Sequence, residues 1–154
     1  MAEGKEVTQN TNDDPIEAAL NTTRSIVVNM RQELERFVAV MDEDIPDLPP
    51  FKELTLPNKA NETIYSFAEA YKDLAGAAIH ISMRHMTLQN LVRRLRYLVS
   101  RNPQHTLLLR QMTEVEDVTS QFDTLHARAK EKLDYIDKSI TTLKSIKNTI
   151  VGQN

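Results

Sequence analysis

His80, His85, His105 and His126 are the only imidazoles in the chain, and with no cysteine present they would have to supply any transition-metal site together with carboxylates. No two of them stand three or four residues apart, the spacing that sets two ligands on one helical face. Glu114, Glu116 and Asp117 are candidate acids and bases, but they lie on a helix whose other face is apolar. A solvated face and ion pairs with neighbouring helices account for them. There is no GxSxG or HExxH sequence, and three glycines cannot form a phosphate-cradling loop. The expectation is a chain that is not an enzyme, with no cofactor, no metal and no small-molecule substrate.

Arginine offers a different chemistry. Arg84, Arg93, Arg94, Arg96, Arg101 and Arg110 form a basic cluster able to contact phosphates or a negatively charged membrane surface. Only Tyr97 interleaves with them, and a net charge of −3 gives no general attraction to nucleic acid or to acidic lipid, so any such binding would need a local patch. The alternative is a basic flank that pairs with acidic residues of a partner helix.

These side chains must be positioned by helices. From Leu108 an apolar stripe runs through Met112, Val115, Val118, Phe122, Leu125, Ala129, Leu133, Ile136, Ile140, Leu143 and Ile146 to Ile150 in steps of three and four. Its mean repeat of 3.5 rather than 3.6 implies helices wound around one another. Composition agrees: no Trp, four Phe, four Tyr, three Gly and 27% charged residues suit long helices better than a sheet. The expected fold is all-α, with elongated coiled-coil helices, a short first helix and two long ones.

Along the chain, residues 1–13 are polar and aperiodic and are expected to be disordered. A first helix spans 14–42, with Asp14 as cap, Pro15 at its first position and Glu17 completing a capping box. Its inward face would be Ile16, Ala19, Thr23, Ile26, Met30, Leu34, Phe37 and Met41, with Thr23 weakening the first turns. Residues 43–57 form an acidic linker stiffened by Pro46, Pro49, Pro50 and Pro57, from which Phe51, Leu54 and Leu56 could pack onto a helix.

A second helix spans 58–102 and carries Ile64, Phe67, Tyr71, Leu74, Ala78, Ile81, His85, Leu88, Val92, Leu95 and Val99 inward. His85 either sets register within that seam or sits at its edge. The third helix, 103–151, would start with Asn102 as cap and Pro103 at its first position. A bent rod is expected there rather than a hairpin, because only Ser100 to His105 are free to reverse the chain.

The stretch from Asn90 to Asp123 resembles subunit 2 of the biogenesis-of-lysosome-related-organelles complex, a family that also serves in the lysosome-positioning complex BORC. The resemblance rests on Asn90, Arg93, Leu95 and Leu98, then on Leu109, Gln111, Met112, Val115 and Glu116. Asn29, Met30, Leu34, Phe37 and Val38 are similar to the family's first helix. The linker at 46–57 is longer than the family's connection, and Asn102-Pro103 interrupts what resembles a continuous helix. The resemblance implies a rod in a multi-subunit assembly of endosome and lysosome traffic, with no catalytic residues.

The seam residues Leu74, Ile81, His85, Leu88, Val92, Leu95, Met112, Val115, Phe122, Leu125, Leu133, Ile136, Ile140 and Leu143 would then face partners, namely other small coiled-coil subunits in a hetero-oligomer. The amino terminus has no signal-type apolar segment, and no run of eighteen apolar residues occurs. A cytoplasmic protein is expected, peripheral on lysosome or endosome membranes through its complex. A subunit of a nuclear coactivator or kinetochore complex is the alternative.

Overall fold

In the computed structural model the chain forms α1 (Ala2–Asp42), α2 (Phe51–Leu54), α3 (Lys59–Arg101) and α4 (Thr106–Gly152), with no strand among the described residues. The backbone is described for residues 2–152 and side chains for residues 15–150. α1 begins at Ala2, so the first helix is not short and Pro15 stands inside it rather than at its first position, while the Asp14 cap lies outside the described side chains. Contacts divide the chain into two compact units: unit 1 is Met1–Arg36 with Ser82–Asp123, and unit 2 is Phe37–Ile81 with Thr124–Asn154.

Unit 1 contains the reversal. His85 Nε2 lies 3.9 Å from Asp123 Oδ1, and Gln89, Val92 and Arg96 share a cleft with Glu116, Thr119 and Ser120, so α3 and α4 run antiparallel. The expected bent rod is therefore corrected to a hairpin. Its turn needs only residues 102–105. The backbone N–H and the side-chain amide of Asn102 both donate to the Leu98 carbonyl, at 2.9 and 3.0 Å, and close α3. His105 Nδ1 accepts from the Leu108 N–H at 3.3 Å and opens α4. Asn102 is thus a C-terminal stop, and the cap of the third helix stands three residues later than expected. The reversal wins because two apolar stripes bury each other within one chain. A rod would leave both in water, at about 0.8 kcal/mol per exposed CH₂.

Burial follows a strict heptad. On α4, Leu108, Val115 and Phe122 in unit 1 and Ala129, Ile136 and Leu143 in unit 2, each seven residues from the last, are fully buried. On α3 the same repeat gives Ala60, Phe67, Leu74 and Ile81 in unit 2, then Leu88 and Leu95 in unit 1. On α1, Leu20, Thr23, Val27 and Met30 are buried in unit 1 and Phe37 and Met41 in unit 2, while the expected inward residues Ala19 and Ile26 are only half-buried. Thr23 is buried with its hydroxyl satisfied, since it donates to the Ala19 carbonyl at 2.6 Å.

In unit 2 a lysine holds a core position. Lys132 falls in the inner stripe of α4 beside the end of α1, where its ammonium donates to the carbonyls of Met41 and Glu43. The last turn of α1 has no basic residue of its own. Lys132 therefore supplies the positive charge that a helix C-terminus favours, and Arg128 adds a 2.9 Å ion pair to Asp42. Leu54 of α2 is buried as the linker packs down, whereas Phe51 and Leu56 are exposed.

Asn58, which leads into α3, has φ 65°. Asparagine tolerates this left-handed conformation better than other side chains bearing a Cβ. Asn58→Val is expected to cost about 1–2 kcal/mol in urea unfolding, whereas Asn58→Gly should stay within about 0.5 kcal/mol of the parent.

Candidate functional site

The fourteen expected partner-facing residues divide in two. Leu74, Ile81, Leu88, Val92, Leu95, Val115, Phe122, Leu125, Ile136 and Leu143 are buried by the chain's own helices, while His85, Met112, Leu133 and Ile140 are half-buried beside that core. The register explains the second group. The inner position next to the seven-residue repeat is held by Gln111, Lys132 and Ser139, each immediately before the apolar residue expected there. Ten of the fourteen are thus covered within the chain, and another apolar surface stays exposed.

That surface lies on the outward positions of α3. In unit 1, Met83 is 53% and Met86 61% exposed. In unit 2, Ile79 is 61% and Tyr65 68% exposed, and a Cβ placed on Gly76 would meet nothing within 4 Å. Tyr71, expected inward, is exposed as well. Within unit 1, Met83 and Met86 stand three residues apart, a spacing that a partner helix reads. Methionine suits such a face because its unbranched side chain adapts to what it meets. None of these residues was singled out as partner-facing from sequence. A second stripe opposite the first was the available signal.

The arginine cluster falls within unit 1. From residue 74 to residue 113 the sequence has six arginines and no Asp or Glu. Among the described residues only Arg84 of the six comes within 4 Å of a carboxylate, at 3.9 Å from Glu33. Arg93 meets the Asn90 side chain at 3.4 Å, and Arg101 lies over the Tyr97 ring at 5.4 Å. Among the described residues, Glu33 is thus the one carboxylate that meets the flank within the chain.

No family model matches this chain, and no curated protein or solved structure is significantly similar to it. Function must therefore be read from the surfaces themselves.

Two concavities of unit 1 bear on ligand chemistry. A cleft of about 500 Å³ between α3 and α4 is lined by His85, Arg93, Arg96, Glu116 and Asp123. His85 sits at the edge of the seam, half-buried, and 3.9 Å from Asp123 is beyond hydrogen-bonding distance. A groove of about 590 Å³ runs between α1 and α3, with Ala18, Ala19 and Thr22 on one wall, Leu95 and Leu98 on the other, and Arg94 at its lining. Among the described residues no three His, Asp or Glu side chains converge as a metal site would require, and no helix is long and apolar enough to cross a membrane.

Proposed function

We propose that the chain is a non-catalytic scaffold subunit that buries its own heptad stripes and recruits other small helical subunits through the outward face of α3. The observation that carries this reading is the exposure of Met83 and Met86 at helical spacing on a helix whose inner face is already filled. Water-exposed apolar residues on the back of a packed helix bring no stability to the chain itself. They gain only when a second helix covers them. The resemblance of Asn90 to Asp123 to the lysosome-related organelle family supports a place in organelle biogenesis or in lysosome and endosome positioning, with membrane association through the assembly.

Mild affinity purification of the full tagged chain, followed by mass spectrometry, tests this. The parent should retain a stoichiometric set of small helical proteins linked to lysosomes or endosomes. The double variant Met83→Glu, Met86→Glu should lose them, with an affinity weakened by about 100-fold or more and helicity unchanged in circular dichroism. Full retention by the variant would sink the interface. Recovery of transcription or chromosome-segregation subunits would sink the trafficking role.

A further inference from the structure

The arginines of unit 1 ring the end of the hairpin. On the heptad of α3, Arg93, Arg94, Arg96 and Arg101 occupy outward positions on several sides of the helix, all exposed, and Arg110 is exposed on the first turns of α4. From Arg93 to Arg101 is eight residues, about 12 Å of helix. That is about one and a half Debye lengths at physiological salt and well inside the ~30 Å of 0.01 M salt, so an anionic surface at the hairpin end feels the group together at low salt and the nearest arginines alone at physiological salt.

Apolar side chains stand among the charges. Tyr97 is 58% exposed, Leu107 43% and Leu109 42%, all within two turns of the loop. A cationic collar with Tyr and Leu at its tip is the composition that settles at the headgroup level of a bilayer. Guanidiniums meet lipid phosphates while the apolar groups enter the acyl boundary.

We infer that this hairpin end docks directly on an anionic lipid bilayer. The occupant is chosen by charge complementarity together with the tip's apolar groups. A nucleic acid would satisfy the arginines, but it would leave Leu107 and Leu109 in water, and one tyrosine is a poor base-stacking platform. The docking is independent of the helix-recruiting face, since Met83 and Met86 are not part of it.

The test is flotation of the full chain with vesicles of phosphatidylcholine alone, or with about one-third phosphatidylserine, at low and at physiological salt. Binding should require phosphatidylserine and fall steeply with salt. The variant Arg93→Glu, Arg94→Glu, Arg96→Glu should bind at least about 100-fold more weakly, taking a factor of about five for each arginine near the surface. Leu107→Ser with Leu109→Ser, which leaves the charge intact, should weaken binding by about tenfold. Both variants should keep the parent's helicity. Equal binding to neutral vesicles, no effect of the arginine variant, no effect of the leucine variant, or tighter binding to a duplex oligonucleotide than to the vesicles would each overturn the assignment.

Discussion

Ile136→Asp is expected to remove about 4 kcal/mol of stability, read as a lower urea midpoint by circular dichroism, because it leaves an uncompensated carboxylate in a fully buried position of unit 2. For a domain held by about 5–15 kcal/mol, that is enough to unfold a large part of the population near body temperature. Leu133→Asp is the informative comparison. Leu133 is only half-buried, so a carboxylate there can turn toward water, and the loss should be about 1–2 kcal/mol. If the stripe faced a partner chain instead, both substitutions would disperse an assembly and leave the helicity of the monomer intact. Sedimentation alongside the urea titration separates the two cases. Equal losses at the two positions, or dispersal without loss of helix, would rule out an internal core.

Phe122→Ala in unit 1 and Phe67→Ala in unit 2 should each cost about 3–5 kcal/mol. Both rings are fully buried, and both stand in the seven-residue repeat. The cost combines lost transfer energy with the cavity left among neighbours that relax only partly. Val28→Ala provides the control. Val28 is exposed on α1, so its change should stay within about 0.5 kcal/mol. A Phe122→Ala loss no larger than that of the control would mean that the α3–α4 packing of unit 1 is not the stabilising core.

Much of the fold was legible because helix periodicity is local. The 3.5-residue spacing from Leu108 onward marked α4, and the spacing through Phe67, Leu74, Ile81, Leu88 and Leu95 marked α3, within one to three residues at most ends. Proline marked the linker. The errors have a common cause, which is that hydrophobicity ranks residues without regard to who can satisfy them. Lys132 takes an inner position because the carbonyls of Met41 and Glu43 receive its ammonium, and Ser139 takes one because its hydroxyl bonds the Tyr135 carbonyl at 2.8 Å. Ile140, the better apolar residue, is left half-buried beside the buried Ser139, while Lys132 and Leu133 are half-buried alike.

The candidate surfaces were legible to different degrees. The arginine cluster was plain as a run of like charge, since charge needs no tertiary context to be counted. Its contacts were not, because those depend on which residues α1 and α4 bring near it. Met83 and Met86 were overlooked for a related reason. Apolar residues on a helix are assigned inward until the neighbours that fill the inner face are known.

By itself, the sequence determined that this protein is helical, where the two longest helices, α3 and α4, lie, and that each carries a coiled-coil stripe. Those properties follow from backbone propensity and side-chain spacing within a few turns. Only the tertiary structure decided that Asn102–Pro103 reverses the chain, that α3 and α4 fill each other's seam, and that the apolar residues left in water on α3 are on the opposite face. A heptad stripe states that an apolar face must be covered, but burial free energy is indifferent to whether the covering helix belongs to the same chain or to another. The four-residue turn held by the local hydrogen bonds of Asn102 and His105 permits the reversal, and the packing of α3 on α4 is what selects it.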